Sequence, residues 1–269
     1  MRNLKLFLIA LTMLGALAQV NAHAQTCEKL IVTGPPNSPP SSWLMNGKMV
    51  GASVDLVTRV ANGAGVKKVE TKIYPTWNDA LEATYRGETD LIFSAAWSID
   101  RARYLNYIQP PYASQFLYVV VRKGHTFPLL KYEDLASKKG AAVKGEAYGD
   151  SKFGQYVEKN LNLTRANSLD ELFDMLLEGK IDFAFGYENT VTSKVFSSNL
   201  ASKVEYISTF PYEAETYFAF SKRSKCYEAI AKAFAAEVVK ASREYSYFQL
   251  MKKYRIIADE SELEKTKGK

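Results

Sequence analysis

The sequence predicts an α/β protein of two similar lobes, each a mixed, mostly parallel sheet flanked by helices. Three observations point there: a segment used twice, an early alternation of strand-like and helical spacing, and two proline-marked breaks. From Thr76 the chain reads T-W-N-D-A-L-E-A-T-Y-R-G-E-T-D, and from Ser168 it reads S-L-D-E-L-F-D-M-L-L-E-G-K-I-D. In both copies a Ser/Thr precedes an acid (Asp79, Glu171) by three residues, a Gly follows (Gly87, Gly179), and an Asp comes three residues later (Asp90, Asp182). An apolar run closes each copy. Physically this is a capped helix, a glycine stop and a buried strand. Ligands in open α/β sheets sit beyond the carboxyl ends of the strands, so Ser94–Trp97 and Gly186–Asn189 are expected to face one cleft.

The elements follow in order. Leu30–Gly34 predicts a strand, and the prolines from Pro35 to Pro40 a rigid loop, because proline cannot continue a ladder. Val54, Val57, Val60, Ala61 and Ala64 recur at helical spacing, and Gly63 and Gly65 end that helix. Val69–Tyr74 predicts a strand, Thr76–Arg86 a helix and Asp90–Ala95 a strand, so the opening reads β-α-β-α-β and its sheet is largely parallel. Pro110-Pro111 breaks the pattern. The second lobe then begins with a strand at Phe116–Arg122, a short helix at Tyr132–Lys138, a strand at Ala141–Lys144 and a helix at Ser151–Asn160. The second repeated unit, a helix at Glu188–Ser198 and a strand at Val204–Ser208 complete it. Pro211 is a second break, before a strand at Tyr217–Ser221 and helices at Cys226–Ala241 and Tyr245–Tyr254. The closing segment lacks strands of its own and is expected to return to the first lobe. Two crossings make a hinge, and hinge closure around a ligand is an established motion. The expected organisation is a leader at residues 1–24, one lobe from 25–112 plus 216–258, a second lobe from 113–215, and a frayed polar tail from 259–269.

The leader expectation rests on Arg2 and Lys5, an apolar stretch from Leu6 to Val20 too short for a membrane span, and the A-x-A cleavage pattern Ala22-His23-Ala24. Cleavage after Ala24 would export the chain to the periplasm. The formal net charge is +6, with basic residues scattered rather than clustered, which gives a nucleic-acid role little support. An exported chain permits a disulfide between Cys27 and Cys226, tying the two ends of the fold together; two separate buried thiols are the other reading. Two distant cysteines and one histidine after the leader (His125) support neither a metal site nor a redox C-x-x-C, and no cofactor is expected.

Several segments carry a family resemblance. Ser38-Pro39-Pro40, then Asn46-Gly47-Lys48-Met49-Val50-Gly51-Ala52-Ser53-Val54-Asp55-Leu56, resembles the opening of the amino-acid-type periplasmic solute-binding proteins, bacterial extracellular solute-binding protein family 3. Trp77-Asn78-Asp79-Ala80-Leu81 with Gly87 and Asp90-Leu91-Ile92 resembles their next segment. So does Ser98-Ile99-Asp100-Arg101-Ala102 with Asn106-Tyr107 and Pro111-Tyr112. The resemblance implies a type II periplasmic-binding-protein fold that closes on a small solute. It also implies that Arg101 holds the solute's carboxylate, a task a forked guanidinium suits, and that Trp77 covers its apolar part. Trp97 is a second aromatic candidate by position alone; burial as core is the plain alternative for both. Ser94 and Ala96 belong to the strand end, with Ala96 standing where the family commonly has Thr. In the second lobe the turn Gly145-Glu146-Ala147-Tyr148 replaces the family's Gly-Thr turn. Tyr187 stands where an acid takes the α-amino group. Glu188, one residue on, could supply that acid or simply favour a helix N-terminus.

The function expected is capture of a small, carboxylate-bearing solute, an amino acid or a related compound, by a monomer that delivers it to a membrane ABC permease. The alternatives are a ligand-sensing module for a membrane receptor and a secreted dehydratase-like enzyme with Glu146 or Glu188 as proton donor. No Ser-His-Asp set, metal cluster or phosphate loop favours catalysis.

Overall fold

A computed structural model describes residues 26–149, 151–244 and 246–267, so the expected leader lies outside the described residues. The first lobe is built on β1 (Lys29–Thr33), β5 (Lys68–Thr71) and β6 (Leu91–Ala95). β1 pairs in parallel with both neighbours, because helices α1 (Ala52–Gly63) and α2 (Trp77–Tyr85) carry the chain back across the sheet each time. The second lobe repeats the scheme. In it β9 (Gly140–Val143) lies parallel to β10 (Thr164–Ala166) and β11 (Phe183–Tyr187), with α3 (Lys152–Asn160), α4 (Leu169–Leu177) and α5 (Glu188–Ser197) as the crossings. The result is the predicted two-lobed α/β architecture; with β8 (Ala113–Arg122) and β12 (Val204–Ser221), the sheet order is β10-β9-β11-β8-β12-β6-β1-β5, and β7 (Leu105–Tyr107) also pairs with β12.

Two long antiparallel strands join the halves. β8 (Ala113–Arg122) runs into the second lobe beside β12 (Val204–Ser221), which runs back out and ends paired with β6 and β7. The two crossings therefore lie side by side, at the pair Ala113–Thr216. The break expected at Pro211 does not split β12 into two strands. The ladder instead skips between Ile207 and Tyr212, and an irregularity of that kind tolerates a residue without an N–H.

The duplicated segment forms the same device twice. The Thr76 hydroxyl accepts from the backbone N–H of Asp79 and the Ser168 hydroxyl from that of Glu171, both at 3.1 Å. Gly87 and Gly179 stop the two helices at φ of 79° and 76°, a left-handed conformation that side chains resist. The repeated aspartates then clamp the neighbouring strand. An Asp90 carboxylate oxygen accepts from Ile31 N at 2.9 Å, and Asp182 does the same for Lys139 N at 2.8 Å. Asp90 also accepts from the Ser224 hydroxyl at 2.7 Å. Asp90→Ala is therefore expected to lower stability by about 1–3 kcal/mol, and more than Asp182→Ala. Denaturant midpoints of the two variants check this; equal midpoints would contradict it.

The buried clusters divide between the lobes. Leu91 and Phe93 of β6 pack with Leu56, Val60, Phe218 and Phe234 beneath α1 and α6 (Lys225–Arg243), while Ile92 faces Leu81 of α2. In the second lobe Phe183 and Phe185 join Phe153 and Val119, and Ala184 joins Leu172, Phe173 and Val120. The polar end after Ala258, expected to fray, instead continues α7 (Ser246–Lys267). Glu and Lys dominate it, and both are good helix formers. A small sheet that the proline count concealed, β2 (Asn37–Ser38), β3 (Ser42–Met45) and β4 (Lys48–Val50), closes over the first lobe. Its β3–β4 hairpin turns at Asn46-Gly47, both at positive φ. Cys27 and Cys226 form a disulfide that joins the start of β1 to the start of α6.

Candidate functional site

A cavity of about 800 Å³ opens between the lobes. The first lobe supplies Asn37, Ser38, Trp43, Trp77, Ser94, Ala96 and Arg101; the second supplies Glu146, Tyr187, Thr190 and Lys194 among others.

Arg101 starts a 3-10 turn, Arg101–Arg103, and its backbone N–H donates to the Ser98 hydroxyl at 3.2 Å. Its neighbour Asp100 pairs with Arg103 at 3.5 Å, which leaves the Arg101 guanidinium to the cleft. That side chain is only 5% exposed, so its charge depends on built partners. Nη1 donates to Ala96 O at 2.7 Å, and Nη2 reaches across the cleft to Gly145 O at 2.6 Å. Trp77 lies alongside, with the Arg101 Cζ 5.5 Å from its ring centre. Its indole N–H donates to the same Gly145 O at 3.2 Å. Gly145 makes this approach possible: at φ 85°, a Cβ there would stand 3.1 Å from Asn78 Oδ1 and 3.3 Å from the Trp77 ring. A second contact between the lobes joins the Ser38 and Thr190 hydroxyls at 3.0 Å.

Ser94 reaches the cleft through a β-bulge. Between the pairs Ala95–Tyr217 and Ile92–Ala219, β6 carries one residue more than β12, and Ser94 takes a φ of 61°. Bulges of this kind re-aim a side chain beside a site. The backbone N–H of Ser94 donates to the Tyr112 hydroxyl at 3.0 Å, and its own hydroxyl lies 3.2 Å from the same oxygen. Tyr112 stacks on Phe218 at 4.1 Å, so the strand end is tied to both hinge-flanking segments.

Glu146 is the unusual group. It lines the cavity, yet its Oε2 is enclosed and has no hydrogen-bond partner among the described residues. Burial raises its carboxyl from 4.5 to about 8, against the opposing pull of Arg165 and Arg101. Tyr187, at the end of β11, donates to Ala147 O at 2.6 Å, and burial together with the Glu146 charge pushes its phenol far up.

Of the residues singled out in the sequence, Arg101, Trp77, Ser94, Ala96, Glu146 and Tyr187 line this one cavity, and the carbonyls of Gly145 and Ala147 accept from the lining side chains Trp77 and Tyr187. Three lie elsewhere. Tyr148 is buried in the second lobe's core, 5.3 Å from Phe185. Trp97 lines a different cavity, of about 760 Å³, with Tyr212 and Glu215. Glu188 accepts from the Tyr118 hydroxyl at 3.1 Å. Sequence reasoning missed the α5 face of Thr190, Ser193, Lys194 and Ser197, all of which line the cleft. Their spacing was a visible signal, a polar stripe at i, i+3, i+4 and i+7. It also missed the Lys194–Asp170 ion pair that joins α5 to α4 beside that stripe. Among the described residues there is no group of three or more metal-ligating side chains, and no helix is long and apolar enough to cross a membrane.

Two α/β lobes joined by paired strands enclose a solute-sized cavity with a buried arginine in its wall. Residues 30–255 match the model of the bacterial extracellular solute-binding proteins, family 3, and the chain belongs to that family. No curated protein sequence matches it. Among solved structures, the chain is similar to the substrate-binding protein of an amino acid ABC transporter (TM-score 0.64, 18% identity, 84% of this chain and 98% of that one). It is also similar to the ABC transporter substrate-binding protein AbpA from Streptococcus pneumoniae bound to L-arginine (TM-score 0.67, 20% identity, 86% and 96%). A third is a histidine kinase sensor domain with similarity to periplasmic binding proteins (TM-score 0.67, 19% identity, 84% and 95%). At these identities the likeness is one of fold.

Proposed function

We propose that this protein captures a small carboxylate-bearing solute in the periplasm and presents it to an ABC permease, without chemical turnover. The observation that carries the reading is the buried Arg101 guanidinium at the wall of the cleft. Two of its five N–H donors go to Ala96 O and Gly145 O, and its side chain also meets the Tyr107 hydroxyl; a guanidinium has further N–H groups with which to fork onto a carboxylate. Because Gly145 belongs to the opposite lobe, the group that grips the solute also grips the closed form. Residues 113–215 are the body that swings, about the paired strands β8 and β12. A solute that contacts both walls favours closure through its extra contacts in that state.

Calorimetric titration with amino acids, other small carboxylates, amines and neutral solutes tests this. Micromolar or tighter binding of a carboxylate, with the solute recovered unchanged, is expected. Silence from every carboxylate, or formation of a product, would sink it, the latter in favour of Glu146 acting as an acid catalyst. The likeness to a kinase sensor domain supports a second reading, in which the loaded form reports to a membrane kinase. Genes for a permease and an ATPase beside this one favour transport; a kinase gene there favours sensing.

A further inference from the structure

The inner end of the cleft is rich in donors and poor in acceptors. Each carbonyl oxygen has two lone pairs. Ala96 O receives Arg101 Nη1 and the Tyr107 hydroxyl, the latter at 3.0 Å. Gly145 O receives Arg101 Nη2 and the Trp77 indole. Ala147 O is taken by Tyr187, and Tyr148 O by Tyr212. An ammonium group needs two or three acceptors converging on it; beside Arg101 the carbonyls of Ala96 and Gly145 already accept two donors each, and those of Ala147 and Tyr148 one each. The end of β11 offers it a phenol, Tyr187, rather than an acid. The carboxyl at this end of the cleft is Glu146, whose Oε2 is enclosed and unpartnered among the described residues and which burial raises to about 8, so that its protonated form is favoured at neutral pH. A protonated carboxyl brings an O–H, one more donor.

We propose that this end of the cleft takes a carboxylate without a neighbouring ammonium, as in a 2-oxo, 2-hydroxy or unsubstituted acid, and that Glu146 donates a hydrogen bond to it beside Arg101. The inference rests on the reading of Arg101 as the carboxylate anchor and narrows the solute class within it. The charged and titratable groups around Glu146 are Arg101 on its 3-10 turn, Arg165 on β10, and the neutral phenols of Tyr148 and Tyr187. Once ionised, Glu146 repels the bound carboxylate and competes for Arg101.

The test uses matched pairs with one carbon skeleton: pyruvate and L-alanine, 2-oxoglutarate and L-glutamate, 4-methyl-2-oxopentanoate and L-leucine, phenylpyruvate and L-phenylalanine. Each is titrated calorimetrically into the full chain between about pH 6 and about pH 10. In the best-binding pair the oxo acid is expected to bind at least about tenfold tighter, with affinity level below pH 8 and falling about tenfold per unit above it. Glu146→Gln keeps a donor but cannot ionise, so it should retain the preference and lose the pH dependence. Tighter binding of the amino acid, with about one proton released per solute, overturns the proposal and leaves the carboxylate reading standing, because Glu146 then pairs with the ammonium as a carboxylate. A wild-type profile that stays level above pH 8 overturns it too. If no member of any pair binds while amines or neutral solutes do, the carboxylate reading falls with it.

Discussion

Replacing Arg101 with alanine is expected to weaken solute binding about 100- to 10,000-fold while leaving the fold intact. Two charge-assisted bonds from a guanidinium to a carboxylate contribute about 1.5–3 kcal/mol each, and about 3–6 kcal/mol in affinity is that range of fold-change. Removing a buried charge often strands its partners and unfolds the protein. Here it does not, because each carbonyl that Arg101 bonds has a second donor. Ala96 O keeps the Tyr107 hydroxyl and Gly145 O keeps the Trp77 indole N–H. The variant should therefore melt close to wild type, and calorimetry should show the loss in binding alone. Arg101→Lys keeps the charge without the fork and should fall between the two. An alanine variant that binds as tightly as wild type would remove Arg101 from the site.

What made the architecture legible was local and redundant. A hydroxyl cap, a left-handed glycine and a strand-clamping aspartate, set at one spacing in two places, are consistent with only a few structures. The Asp90 and Asp182 contacts show that the repetition is physical. The small β2–β3–β4 sheet was equally present in the letters, since Asn46-Gly47 is a hairpin signal, but the prolines around it drew the reading toward a loop. Pro211 misled for a related reason. Proline forbids a ladder bond at its own position, not a strand that skips there.

The site was less legible because a cleft is made by tertiary approach. The Ser94 bulge depends on how β6 and β12 pair, which no local pattern reveals. Glu146 stands out in the letters as a departure from its family's turn, but no local pattern shows that its Oε2 is enclosed without a partner. Position alone placed Trp97 and Glu188 beside the solute. In the structure Trp97 lines the neighbouring cavity and Glu188 accepts from the Tyr118 hydroxyl. The polar stripe of α5 shows the converse: a helix face without apolar residues, in a protein whose other helices bury one, has something polar to meet.

Breaking the disulfide is expected to cost stability and spare function. The bridge spans 199 residues of chain and so encloses both lobes in one loop. Loop-closure entropy for that length predicts a limit of about 5 kcal/mol, and native bridges typically contribute about 2–5 kcal/mol. The Cys27→Ala/Cys226→Ala double variant, which leaves no odd thiol, should lose stability within that range by chemical denaturation. Reductant should shift the wild type alike and the variant not at all. Solute affinity should stay within about twofold of wild type, because contributions from distant, independent sites are separable. Both cysteines sit in the first lobe, at the starts of β1 and α6, away from the cleft and from the β8–β12 crossing. The bridge thus constrains the unfolded chain without tethering one lobe to the other. A large loss of affinity in a variant that is still folded would mean that the bridge restrains hinge motion, and would assign it to the mechanism instead of to the scaffold.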